Sequence, residues 1–277
     1  EPQGLTANNV IDHAPLLCGP AEDGSVLAVW TRNQANLMTG TNGAPDQVLT
    51  ARWNPAAGAW STEQTLLAAV TNRLSQSLAC STNGYAVYGW TADADGVLTN
   101  DTDQEVFVCE RQGGTWGQIE QLTTNAVPDK CVRVAVGADG SPFAVWQQGV
   151  DLVMRRGVAG ATTVVRSDSG STGFADFALT LGPAGNLVLL WQEMTENGSD
   201  AHYMVYDPVS DTWGQDALLC SDAPLERAFA PVWDNLGNLT VAYDKVQVDK
   251  VTKTVELEEG ETVAIDNVPQ PGQVDLY

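Results

Sequence analysis

Apolar and polar positions along this chain fall into a pattern that recurs five times. Each copy is an almost unbroken apolar segment opened by a glycine and closed, six residues later, by an aromatic: GSVLAVW (24–30), GYAVYGW (84–90), GSPFAVW (140–146), GNLVLLW (185–191) and GNLTVAY (237–243). Apolar residues at successive positions predict a strand buried on both faces. Ahead of each glycine lies a second apolar-rich segment (APLLC, QSLAC, RVAV, ALTL and FAPVW), joined to the motif by a short turn. The glycine stands where such a turn needs positive φ. Behind the motif, VLTARW (48–53), EVFVCE (105–110), LVMRR (152–156) and YMVYD (203–207) alternate polar with apolar, as a half-buried third strand does. A turn and a tryptophan follow (Trp60, Trp116, Trp213), and then a shorter, more polar segment such as EQTLL, IEQLT or DALLC. That last segment suits a sheet edge.

The repeat glycines are spaced by 60, 56, 45 and 52 residues. A repeat of this size is one supersecondary unit that buries its apolar faces only by stacking on copies of itself. Four-stranded units stacked radially make a β-propeller, with the first strand innermost. The predicted fold is therefore all-β: a five-bladed β-propeller of four-stranded antiparallel blades in a single domain. The blades are expected at about 13–67, 74–123, 130–168, 174–220 and 226–277, the last completed by residues 1–6. The opening GLTANNVIDHAPLL aligns with QLTTNAVPDKCVRV (121–134), a fourth strand running into a first strand. Pairing of residues 3–6 with 273–277 would close the ring and remove an open edge. A β-hairpin insertion is expected at about 246–270, turning at Glu259 and Gly260.

In such a blade the first-to-second and third-to-fourth turns share one face, and here they are short. Second-to-third loops and blade links share the other. Those loops are expected to be long in four blades: 31–47, 91–104, 192–202 and 244–272. Long loops on a rigid scaffold are where binding usually resides. The inner strands begin at the same face, which places Asp12, His13, Arg73, Asp129, Lys130, Asp176, Glu226 and Arg227 at the channel mouth as a mixed ring suited to a polar ligand. Asp12, Asp129 and Asp176 are the carboxylates that would serve if the site cleaved a glycosidic bond.

Charge narrows the partners. Thirteen Lys and Arg against 35 Asp and Glu give a net charge of −22, a field that repels phosphate backbones and makes nucleic acid an unsuitable partner. No segment reaches the roughly 20 apolar residues that a membrane-spanning helix needs. The chain opens EPQGLTANN, without Met or leader, and is expected to be a mature or excised segment of a secreted or cell-surface protein, monomeric. Its five cysteines (18, 80, 109, 131 and 220) are an odd number and form no CxxC pair. Cys18 and Cys80 occupy equivalent inner-strand positions if the first turn carries two extra residues; a disulfide there is conceivable, with buried thiols the expected state. Asp93 and Asp95 before Gly96, then Asp101 and Asp103, look like the start of a calcium loop. Only one Asp–x–Asp step precedes the glycine. Calcium is the one cofactor this sequence raises.

The third-to-fourth hairpins GAWS, GTWG and DTWG, with Asn54 or Asp207 upstream, resemble degenerate Asp-box turns. Sialidase-like and related BNR-type propellers carry S-x-D-x-G-x-x-W at this place. The resemblance spans the repeat pattern, although blade three has no such tryptophan. Sialidases use an arginine triad, and the inner-strand arginines here are Arg73, Arg133 and Arg227, lying 11, 7 and 10 residues before their repeat glycines. Five-bladed glycosidases place three carboxylates on three inner strands, which the resemblance would map onto Asp12, Asp129 and Asp176. The likeness implies a fold before it implies an activity. The expected function is an extracytoplasmic, non-catalytic module that binds a glycan or another surface protein. The alternative is a glycoside hydrolase working through the mouth carboxylates.

Overall fold

The computed structural model describes residues 4–41, 43–71, 73–93, 102–168, 174, 176–195, 198–222, 225–234, 236–256 and 262–276, with backbone alone at 222, 247–256 and 262–276. Every regular element among them is a β-strand. Five antiparallel sheets follow one another along the chain, one per copy of the apolar motif. They belong to two compact units, Glu1–Ser169 and Gly170–Tyr277.

The first unit holds three sheets. The first sheet contains β1 (Ile11–Cys18), β2 (Val26–Asn33), β3 (Asp46–Asn54), β4 (Ala59–Trp60) and β5 (Gln64–Val70). The second contains β6 (Arg73–Cys80), β7 (Ala86–Asp93), β8 (Gln104–Gln112) and β9 (Thr115–Gln121). The third contains β10 (Asp129–Val136), β11 (Pro142–Gln148), β12 (Asp151–Arg156) and β13 (Thr162–Ser167). The second unit holds two. Its first sheet contains β14 (Phe177–Leu181), β15 (Leu187–Thr195), β16 (Gly198–Asp207), β17 (Thr212–Trp213) and β18 (Ala217–Asp222); its second contains β19 (Leu225–Trp233), β20 (Leu239–Glu256) and β21 (Thr262–Leu276).

Four strands per blade hold outright in the second and third sheets. In the first and fourth sheets the edge strand is broken in two. Both β4 and β5 pair with β3, Trp60 opposite Trp53 and then Gln64 opposite Thr50. Likewise β17 and β18 both pair with β16. The fifth sheet has three strands among the described residues. The expected pairing of residues 3–6 with 273–277 includes Gln3 and Tyr277, which lie outside the described residues, as does the turn at Glu259 and Gly260.

The apolar motif strands are buried on both faces because alternate residues serve different cores. Val29 packs with Tyr88, Trp90 and Cys109 between the first and second sheets, while Ala28 and Trp30 turn to the opposite side with Leu49 and Ala51. Val87 joins Val134, Ala144 and Trp146 between the second and third sheets. The repeat glycine has φ between 75° and 84° in all five turns (Gly24, Gly84, Gly140, Gly185 and Gly237), and its amide closes a bond to the residue three earlier, as from Gly140 to the Gly137 carbonyl at 2.9 Å. At Gly140 an added Cβ would meet nothing within 4 Å. The glycine is there for its dihedrals alone.

One expected loop is a ladder instead. Within 192–202, residues 192–195 extend β15 and 198–202 open β16, with Gln192 opposite Ala201 and Thr195 opposite Gly198. Its polar residues suggested a loop, but a ribbon projecting beyond the core tolerates polar side chains on both faces. In the last blade, β20 and β21 stay paired from Asp244 and Leu276 out to Glu256 and Thr262, with register shifts at two places.

Candidate functional site

Inner strands of the first, third and fifth sheets begin with the same three-residue device: an acid, a base, and a small residue in the left-handed region. The triplets are Asp12-His13-Ala14, Asp129-Lys130-Cys131 and Glu226-Arg227-Ala228, with φ of 49°, 57° and 57° at the third residue. Each lies at a register shift in its ladder. A non-glycine residue held there stores about 1 kcal/mol or more of strain. The bulge decides where the acid goes.

In the third sheet the acid goes inward. Asp129 is 0% exposed. Its Oδ1 accepts from Trp146 Nε1 at 2.7 Å and Gln148 Nε2 at 3.0 Å, and its Oδ2 accepts from Asn125 Nδ2 at 2.8 Å. Asp12 repeats the scheme with different chemistry. Asn8 Nδ2 donates to its Oδ2 at 2.7 Å, and the Arg32 guanidinium replaces the indole and amide, with Nε on Oδ1 at 2.8 Å and Nη2 on Oδ2 at 3.2 Å. Burial works to raise the Asp12 pKa, but the hydrogen bonds from Arg32, Asn8 and Thr6 outweigh it and hold the carboxyl below its usual range. Arg32 also grips Glu63, at 2.5 and 3.0 Å. His13 is half-buried, its Nε2 without a hydrogen-bond partner. Arg73 donates to the Tyr88 hydroxyl at 3.1 Å, and that hydroxyl donates to Gln76 Oε1 at 2.9 Å. Lys130 is half-buried.

The second unit treats its acids similarly. Glu226 is 0% exposed. Ser199 Oγ donates to Glu226 Oε2 at 2.9 Å and accepts from the Glu226 amide at 2.8 Å and from Gln192 Nε2 at 3.0 Å. Asp176 Oδ2 accepts the Ala228 amide at 2.6 Å, tying the two inner strands together. Arg227 is exposed.

A further buried carboxyl lies on the second sheet. Glu105, on β8, is 5% exposed, and its Oε2 has no hydrogen-bond partner. Burial raises its pKa, with the neighbouring charges of Asp129 and Asp103 adding to the shift against opposing hydrogen bonds from Thr123 and the Asn125 amide. A buried carboxyl with a raised pKa beside other carboxylates is the kind of arrangement that general-acid chemistry uses. In the sequence Glu105 stands only at the end of the calcium-like run. Of that run, Asp95 and Asp101 lie outside the described residues, and among the described residues no three Asp, Glu, His or Cys side chains gather as a metal site requires.

Other side chains gain a role only through register. Arg32 and Gln148 sit two residues after their motif tryptophans, directly opposite Asp12 and Asp129. That shared offset is the signal from which both could have been read. His202 stacks on Trp191 with ring centroids 5.5 Å apart, and its Nδ1 lies 2.8 Å from Asp216 Oδ1. Trp233, the last residue of β19, borders a cavity of about 470 Å³ with Tyr203, Tyr243, Leu190 and Leu239. That lining is apolar and offers sugar hydroxyls few partners.

No protein-family model matches this chain, and no curated protein matches it by sequence. Solved structures do match. The chain superposes on the intramolecular trans-sialidase from Ruminococcus gnavus, solved with oseltamivir carboxylate, with a TM-score of 0.52 at 9% identity, covering 94% of this chain and 86% of that one. On the Hadza microbial sialidase Hz136 the TM-score is 0.51 at 11% identity, over 84% of this chain and 53% of that one. On the Trypanosoma rangeli sialidase in complex with sialic acid it is 0.50 at 11% identity, over 84% and 43%. The chain thus spans about half the length of the last two structures. The fold is a sialidase-like β-propeller fold.

Proposed function

We propose that this chain is a non-catalytic binding module that takes a glycan at the loop end of its inner strands, in a secreted or cell-surface setting. One observation carries the reading: the acids of the inner strands are occupied in holding the fold. Asp129 takes three donors, Glu226 takes the Ser199 hydroxyl, Asp176 takes a backbone amide and Asp12 is forked by Arg32. A carboxylate whose oxygens are held by protein donors is poorly placed to approach a substrate as acid or nucleophile. In the first unit the basic side chains His13, Arg73 and Lys130 are half-buried, and in the second Arg227 is exposed; each would meet an acidic or hydroxylated ligand. Glycan is the class favoured because propellers of this fold include structures solved with sialic acid and with oseltamivir carboxylate. A glycan array, run with calcium and again with chelator, tests this. A discrete hit indifferent to chelator supports the reading, and silence in both buffers opposes it in favour of a protein partner.

A second reading is a glycoside hydrolase, and Glu105 favours it. Its raised pKa and bare Oε2 suit a general acid, with Asp129 or Asp103 as the neighbouring charge. Glu105→Gln separates the two: it would abolish cleavage in a hydrolase and leave binding in a module.

A further inference from the structure

The first and second sheets are fastened at their short-turn ends, and two cysteines meet there. Cys18 ends β1 and Cys80 ends β6, each just ahead of its sheet's first turn. The Glu22 amide donates to the Thr82 carbonyl at 2.8 Å, so the two turns are hydrogen-bonded to each other. Farther along the same strands, Gln76 Nε2 donates to the Ala14 carbonyl at 2.7 Å. Between these two ties Cys18 and Cys80 lie on neighbouring inner strands, near enough for each thiol to influence the other. Neither is fully buried, whereas Cys109 is. Cys80, Ala86 and Arg111 form one row across the second sheet. With only the alanine methyl between them, the guanidinium adds positive charge on the side of the thiol pair.

The geometry points to Cys18 and Cys80 as a redox couple that closes into a disulfide, stapling the first blade to the second. The pair is built asymmetrically. Arg111 lies in the row of Cys80 and its charge favours the thiolate there. Cys80 is therefore the nucleophile. The oxidant is a low-molecular-weight disulfide of the glutathione class. The Cys80 thiolate attacks one sulfur of that disulfide and expels the other as a thiolate, leaving a mixed disulfide on Cys80. Cys18 then loses its proton, the thiolate expelled in the first step being one acceptor for it, and attacks the Cys80 sulfur, expelling the second small thiolate. One external disulfide is reduced to two thiols, and one protein disulfide forms.

The test uses the full chain, fully reduced and then equilibrated in glutathione buffers of graded potential, with alkylation and peptide mass spectrometry. Two of the five thiols should disappear together, in a peptide linking Cys18 to Cys80, while Cys109, Cys131 and Cys220 remain alkylated. The oxidised protein should melt roughly 5 °C higher, since the cross-link closes a long loop in the unfolded chain. In the reduced protein Cys80 should alkylate faster than Cys18, and Cys18→Ala should slow it. Cys131→Ser should leave the cross-link intact. Glutathione remaining on Cys80 without closure, or all five thiols surviving oxidising buffer, would overturn the proposal.

Discussion

The indole Nε1 of Trp146 donates to Oδ1 of Asp129 across 2.7 Å, and neither residue is exposed at all. The tryptophan closes the apolar motif of the third sheet, while the aspartate opens the inner strand paired with it. This bond joins the core to the loop end of the blade. It also gives an acid at the predicted mouth a structural role.

Asp129→Ala should therefore cost about 1–3 kcal/mol in stability, because it strands the buried donor of Trp146 and takes the acceptor from Gln148 and Asn125. Trp146→Phe should also destabilise, and the double variant should lose less than the sum by roughly 1 kcal/mol or more. Urea unfolding of the four proteins checks this. Additive losses would mean that the two side chains do not depend on each other.

Glu105 makes the opposite prediction. Its folded-state pKa lies above the ordinary 4.5, so the folded protein holds a proton that the unfolded chain releases. Stability from this group is then complete below pH 4.5 and declines as pH rises through the folded-state pKa. Glu105→Gln should flatten that decline and leave the protein more stable than wild type at neutral pH. Thermal melts from pH 4 upward, as about one unit steps, would register the difference.

Two glycines separate backbone freedom from space. Gly140 has φ of 80° with nothing near an added Cβ, so Gly140→Ala should cost about 1–2 kcal/mol through the dihedral alone. Gly89 has ordinary dihedrals, but a Cβ there would lie 2.7 Å from Val134 Cγ1. Gly89→Ala should cost about 1–3 kcal/mol by overpacking. Val134→Ala should recover part of the loss at Gly89 and none of the loss at Gly140, as read by urea unfolding midpoints.

Much of this fold is legible in the sequence because one strand of each blade has no solvent face. Residues such as Val29, Val87 and Val145 are apolar in succession with their neighbours, and a glycine at fixed spacing announces the turn before them. The inner-strand acids are legible too, since they recur at the head of the first strand. Their partners are harder to see. Arg32 reaches Glu63 on the far side of its sheet, and Glu105 owes its raised pKa first to burial, with the charge of Asp129, distant along the chain, adding to it against the opposing hydrogen bond from Thr123. The bulges that turn Asp12 and Asp129 inward rest on Ala14 and Cys131, residue types that carry no mark of a left-handed backbone. The ribbon at 192–202 was hidden because its polar residues resemble those of a loop, whereas its ladder depends on strand pairing.

The central claim is that this propeller binds without cleaving, and product analysis tests it most directly. A glycan captured by the protein would be held with it overnight, released, and weighed by mass spectrometry beside a protein-free control. The account predicts that the glycan returns intact from both the wild-type chain and Glu105→Gln. Shortened glycan from the wild type, with intact glycan from Glu105→Gln, would contradict it and identify Glu105 as the acid of a hydrolase.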